Sequence, residues 1–182
     1  ATTVKFQMRT VELAVPRSEW EVPRQWEGET IPYLEYKKKL ELSEYDYYTI
    51  DSYCREIGME WTASVWDLPS LERLAQFEPP FIKIPSAKLT DDALLTAAAR
   101  SGSPVMLSTG MSTWDEMDHA VDLIEKYPGA SLLHCHSSYP AEDRELCLSL
   151  IPRLKNRYGL PVGYSSHSVS PFPAIMAIAV GA

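Results

Sequence analysis

Residues 105–124 read VMLSTGMSTWDEMDHAVDLI. Three apolar residues and a serine form a short strand, and a polar turn with one glycine follows. Ser112-Thr113-Trp114-Asp115 then offers a helix cap, because a serine or threonine hydroxyl can accept the free amides of a first turn. Beyond it Met117, Ala120, Val121 and Ile124 recur at three- and four-residue spacing, which places them on one helical face. The stretch therefore reads as one βα unit: apolar strand, polar turn, amphipathic helix.

The same succession repeats along the chain. Candidate strands lie at 3–7, 61–65, 81–85, 105–108, 131–135 and 162–164. They read as lacking the polar/apolar alternation of a half-exposed sheet, and short continuous apolar strands suit a parallel sheet covered by helices. The helices between them are punctuated. Ser43-Glu44-Tyr45-Asp46 forms a capping box, with Tyr47, Ile50, Cys54 and Ile57 on the following face and Gly58 at its end. Thr90 is the expected cap of a helix over 91–101, closed by Gly102. Another helix is expected over 148–158 before Gly159, and one more from Pro171.

About six βα units result. Either an open doubly wound sheet or a (β/α)8 barrel of the TIM type fits this count. No GxGxxG or GxxxxGK[ST] follows a strand, and the polar residues gather just after the strands, where a barrel keeps its site. The reading is α/β, an incomplete barrel over 1–182 that lacks two units of closure. The chain opens on Ala1-Thr2-Thr3 without a methionine and closes where a helix reaches Gly181, so flanking elements are expected on both sides. One segment breaks the spacing: 8–40, rich in Glu, Pro and Trp and without a clean period, is expected to be a long binding loop or packing arm.

Bulk properties narrow the partners. With 25 acidic and 17 basic side chains the net charge is −8, which leaves no general basic face for nucleic acid or an anionic membrane. The three cysteines, Cys54, Cys135 and Cys147, have no paired spacing, so reduced thiols and a cytoplasmic location are expected. The longest apolar run, 172–182, is about half of what a membrane span needs, and no charged and apolar leader opens the chain.

Lysines inside two apolar strands, VKFQ and FIKIPS, carry the strongest chemical signal. A lone buried ammonium costs several kcal/mol, so Lys5 and Lys83 are each expected to face an anion. The structural alternative is an ion pair with a distant acid. A bound phosphate or carboxylate satisfies both lysines and recruits the hydroxyls at the strand ends, Ser64, Ser86, Ser108, Ser137 and Ser165. A Schiff base at Lys83, as in some barrel aldolases, is a third reading and leaves Lys5 without a role. Among the histidines, His134 and His136 stand two apart and would share a strand face. His167, after Gly-Tyr-Ser-Ser at a strand tip, could bind a divalent ion through a neutral imidazole. His119 falls on the polar side of its helix.

Five short motifs occur in order: Lys5-Phe6-Gln7; Lys83-Ile84-Pro85-Ser86; Leu107-Ser108-Thr109-Gly110-Met111; Leu132-Leu133-His134-Cys135 with Tyr139-Pro140; and Gly163-Tyr164-Ser165-Ser166-His167. Together with the stretch 37–67 they resemble the sialic acid synthase family, the N-acetylneuraminate synthases with their 9-phosphate and bacterial nonulosonate relatives. The resemblance implies a (β/α)8 barrel that condenses phosphoenolpyruvate with an N-acylated mannosamine-type sugar, releases phosphate and uses a divalent metal, Mn2+ or Mg2+. It implies phosphoenolpyruvate contacts at Lys5, Lys83, Ser86, Ser108 and Ser165, with Ser64 and Ser137 at positions often Thr and Asn. It further implies a sugar contact at Tyr139, a metal ligand at His167 and a structural role for His134.

The family's catalytic glutamate on the first strand, its second histidine ligand in a Glu-Arg-His segment on the last strand, and its C-terminal antifreeze-like domain would all lie outside these residues, which match strands two to seven. The family's homodimer is the expected assembly. Three positions depart from the family pattern: Lys88 where an acid is usual, Ser166 where Asp or Gly is common, and His136 where Thr is usual. The alternatives are a catalytically inactive barrel fragment that retains an anion pocket, or another barrel lyase or aldolase.

Overall fold

The computed structural model describes residues 2–182, which divide into two units, one running to Pro80 and one from Phe81 to Ala182.

In the first unit β1 (Thr3–Met8) is followed by the short helix α1 (Val11–Ala14), a hairpin of β2 (Pro23–Trp26) and β3 (Glu29–Pro32), and helices α2 (Tyr33–Leu40) and α3 (Glu44–Glu56). Strand β4 (Glu60–Val65) and helix α4 (Leu68–Ala75) complete it. β1 and β4 pair in parallel, with Lys5 opposite Thr62 and Gln7 opposite Ser64. Alternation is strict in both strands. Thr3, Lys5, Gln7, Glu60, Thr62 and Ser64 share one face, and Val4, Phe6, Met8, Trp61, Ala63 and Val65 share the other. The expectation of strands without alternation is therefore corrected here: one face is polar throughout, with Thr62 and Ser64 buried on it.

The irregular segment is an ordered arm. Glu27 and Gly28 turn the hairpin with positive φ at both residues, 49° and 90°, the conformation that makes a tight turn match strand twist. Trp26 meets Tyr36 edge-on at 5.7 Å, and the Arg24 guanidinium lies 4.8 Å from the Tyr33 ring. The hairpin and α2 were not evident from periodicity, since these aromatic and cation contacts hold them instead. Asp67 secures the arm to the strand ends: it caps α4 through the Ser70 amide at 2.8 Å and accepts the Thr10 amide at 2.6 Å.

The second unit alternates β5 (Ile82–Ile84), α5 (Asp92–Arg100), β6 (Val105–Ser108), α6 (Trp114–Ile124), β7 (Ser131–Cys135), α7 (Leu150–Tyr158), β8 (Val162–Ser165) and α8 (Phe172–Ala179). Its strands pair in parallel in sequence order. Register places Lys83, Met106, Ser108, Leu133, Cys135, Gly163 and Ser165 on one face. The opposite face carries Ile82, Ile84, Val105, Leu107, Leu132, His134 and Val162, all buried, with the apolar sides of the helices. On α6 those are the expected Met117, Ala120, Val121 and Ile124.

Caps stand close to where the sequence put them. Ser43 and Thr113 each form a full capping box, with Asp46 and Glu116 respectively, and Gly159 ends α7 in the left-handed region at φ 66°. Two details differ. Asp91, not Thr90, caps α5, because its carboxylate accepts the Leu94 amide at 3.2 Å. Ile57 is exposed rather than on the inner face of α3, since it lies beyond the last helical turn.

Candidate functional site

The polar face of the second unit ends in a convergence of small groups. The Ser86 hydroxyl, just past β5, accepts the Gly110 amide at 3.0 Å and lies 3.0 Å from Cys135 Sγ at the end of β7. Gly110 sits so close to these neighbours that a Cβ there would come within 2.4 Å of Ser137 Oγ, 2.8 Å of Cys135 Sγ and 2.9 Å of Ser86 Oγ. Three strand ends thus meet at a glycine, with Ser86 and Ser137 on either side. Ser108, two residues earlier, is buried, and its hydroxyl has no hydrogen-bond partner among the described residues. A buried hydroxyl without a partner, two residues before a turn that gathers two further serines, is the kind of donor set an anion uses.

Two more expected residues share this face. Lys83 is buried, 8% exposed, in the middle of β5, and Ser165 stands opposite Cys135 in the β7–β8 register. Gly163 keeps the face open to Leu133, whose Cδ2 would lie 2.9 Å from an added Cβ.

In the first unit Lys5 Nζ donates to Ser64 Oγ at 3.0 Å, so these two expected residues do meet. Lys5 is nevertheless exposed, which corrects the expectation of two buried ammonium groups. Partial desolvation still lowers its pKa below the usual lysine value.

His167 and Tyr139 form a second group, close to the end of β8. Their rings stack with centroids 4.1 Å apart, and the Tyr139 hydroxyl lies 3.0 Å from His167 Nε2. Nδ1 of His167 lies 2.6 Å from the His136 carbonyl. A carbonyl only accepts, so Nδ1 carries the proton; in the neutral ring Nε2 then holds a lone pair, which takes the tyrosine hydroxyl. Partial desolvation and then the nearby Cys135 push the Tyr139 phenol upward, keeping it a donor. This tautomer, fixed by a backbone carbonyl on the far nitrogen, fits a metal ligand. Among the described residues no three His, Cys, Asp or Glu side chains gather as a metal cluster.

The remaining histidines separate. His134 does not share a face with a ligand-side His136: it lies among the helices, where Nε2 meets the Leu146 carbonyl at 2.7 Å. His136 falls past the end of β7, near Ser138 at 3.1 Å and Glu145 at 3.5 Å. His119 is exposed and bonded to Asp92 at 2.9 Å. Lys88 pairs with Asp91 on its own turn at 3.5 Å. Gly110 and Cys135 were not among the expected site residues. The glycine directly after Ser108-Thr109 was the available signal, whereas nothing local marked the cysteine.

Comparison with known proteins bears directly on this arrangement. The NeuB family profile matches residues 1–182. The chain belongs to the NeuB family. The NeuB chain is 34% identical over 186 residues to N-acetylneuraminate-9-phosphate synthase of Drosophila melanogaster, covering 98% of itself and 49% of that protein. It is 38% identical over 152 residues to an uncharacterised protein of Methanocaldococcus jannaschii, covering 82% of itself and 45% of that one. It thus spans about half the length of the curated relatives it matches. Among solved structures, the sialic acid synthetase of Leptospira borgpetersenii, determined in complex with citrate, matches with a TM-score of 0.88 and 30% identity over 100% of this chain and 60% of that one. The expected fold class therefore holds: the NeuB chain has the alternating parallel architecture of an incomplete (β/α)8 barrel. Of these relatives, the Drosophila and Leptospira proteins are sialic acid synthases. No helix among the described residues is long and apolar enough to cross a membrane.

Proposed function

We propose that this chain is part of a cytoplasmic, homodimeric nonulosonic (sialic) acid synthase that joins phosphoenolpyruvate to an N-acylated mannosamine-type sugar. The observation that carries this reading is the buried hydroxyl of Ser108, without a partner among the described residues, on the strand that leads into the Ser86–Gly110–Ser137 convergence. Lys83, Ser86, Ser108, Ser137 and Ser165 would bind the phosphate and carboxylate, and so would Lys5 and Ser64, through charge-assisted hydrogen bonds. Hydroxyls grouped around a close-packed glycine suit non-covalent anion binding better than an aldolase Schiff base at Lys83.

In the reaction the enol carbon of phosphoenolpyruvate attacks the aldehyde carbon of the open-chain sugar, and a carbon–carbon bond forms. The aldehyde oxygen takes up a proton. Water adds to the cationic carbon that bears the phosphate, its proton is lost, and phosphate leaves as the keto group forms. The lysines and serines hold the reactants in attack geometry and compensate charge as it moves. His167, through Nε2, would hold the divalent ion (Mn2+ or Mg2+), which when bound supplies Lewis-acid polarisation of the aldehyde oxygen. Tyr139 would contact the sugar. The catalytic glutamate and the second histidine ligand would come from elsewhere in the full-length protein.

Titration with phosphoenolpyruvate, with and without Mn2+, tests the reading. Saturable binding that is lost in both Lys5→Ala and Lys83→Ala is the expected result. Failure of the folded full-length protein to bind phosphoenolpyruvate would sink it.

A further inference from the structure

Tyr139 and His167 stand 28 residues apart, yet each restrains the other. The loop after β7 grips His167 at three points. The His136 carbonyl takes its Nδ1 proton at 2.6 Å, the Tyr139 hydroxyl donates to Nε2 at 3.0 Å, and the Ala141 amide donates to its backbone carbonyl at 3.1 Å. With Nδ1 committed, the ring has one lone pair to offer, and a tyrosine hydroxyl already occupies it. A cation and a hydroxyl proton cannot share that lone pair.

We infer that Tyr139 couples cation binding to sugar binding: its hydroxyl competes with the divalent ion for Nε2 of His167, and the ion's arrival releases it to the sugar. The inference rests on the metal and sugar readings given above. Tyr139 is 76% exposed, so the phenol can swing off His167 as a unit, giving up the ring contact at 4.1 Å and little other packing. Linkage makes the effect reciprocal. A sugar that draws the hydroxyl away leaves Nε2 open, so the ion binds more tightly in the presence of the sugar, and the sugar more tightly in the presence of the ion.

The test is Mn2+ binding by the full-length protein, read from the electron paramagnetic resonance signal of the free ion, in wild type, Tyr139→Phe and His167→Ala. Phenylalanine keeps the ring and removes only the competing donor. Its Kd for Mn2+ should fall about two- to tenfold, the range set by one neutral hydrogen bond, whereas His167→Ala should raise Kd at least about tenfold. The aromatic proton resonances of Tyr139 should also shift on addition of Mg2+ in wild type and not in His167→Ala. An unchanged or raised Kd in Tyr139→Phe, with His167→Ala still weakening the ion, overturns the coupling and leaves His167 as a metal ligand. An unchanged Kd in His167→Ala overturns both.

Discussion

The Ser86 hydroxyl accepts the Gly110 amide at 3.0 Å and so ties the turn after β5 to the turn after β6. The bond requires the glycine backbone to come close to a side chain that a larger residue would push away. Gly110→Ala should force Ser137, Cys135 and Ser86 to give way together, because the new Cβ meets all three within 2.9 Å. A loss of about 1–3 kcal/mol in urea unfolding is expected, as for overpacking elsewhere, along with loss of phosphoenolpyruvate binding by calorimetry. Unchanged affinity in the alanine variant would remove this turn from the anion site.

Lys5 supplies a pH signature. Desolvation lowers its pKa below 10.5, so its ammonium loses its proton earlier than an ordinary lysine as pH rises. Phosphoenolpyruvate affinity should therefore begin to fall at a lower pH than lysine's normal value would set. Lys5→Arg, which stays charged, should flatten that alkaline limb. The Kd measured across the alkaline range in the two proteins decides it.

His134 should matter for stability and not for ligand affinity. Burial lowers its pKa below 6.5, against the opposing pull of its bond to Leu146. Below pH 6.5 the unfolded chain takes up a proton that the native state resists, so native stability falls as the solution is acidified through that region. His134→Phe removes this dependence and leaves the Leu146 carbonyl unpaired, at a cost of about 1–3 kcal/mol at neutral pH. Tm against pH for both proteins checks the sign, and phosphoenolpyruvate affinity should be unchanged.

Asp118 links α6 to α7. It accepts the Arg157 Nε at 2.8 Å and the Tyr158 hydroxyl at 2.8 Å, and Arg157 first, then Tyr158, hold its carboxyl down to about 2. The stabilisation is complete above the usual aspartate value of 3.8 and disappears as pH falls toward 2. Asp118→Asn should show a shallower loss of Tm over that interval than wild type. Identical acid limbs would show that the bridge contributes nothing.

Periodicity and punctuation make the second unit, and α3 of the first, legible in the sequence. The α6 face, the Ser43 and Thr113 boxes and the Gly159 stop are local signals, set by residues within one turn of each other. The arm between β1 and α3 was not readable, because Trp26, Tyr36 and Arg24 hold it through ring contacts that leave no period. Asp67 reaches back 57 residues to Thr10, a pairing no window of sequence contains. Lys5 and Lys83 look alike in sequence, each one charge within an apolar run, yet one is exposed and the other buried, because accessibility depends on what covers a strand face. The nearness of Ser86, Ser137 and Cys135 to Gly110 arises from pairing register, while their residue types were visible from the start.

The two-faced strands have a bearing on redesign. Met106, Ser108 and Ser165 share the face opposite the helices, while Leu107, Leu132 and Val162 belong to the buried layer beneath, with Ile82, Ile84 and Val105. A combinatorial library confined to Met106 and Ser165, both only partly buried, would leave the interlocked apolar layer in place, and Gly163 would have to be held constant so that Leu133 keeps its place. The two faces alternate along the same strands, so side chains on one can be exchanged while the apolar layer on the other is left intact.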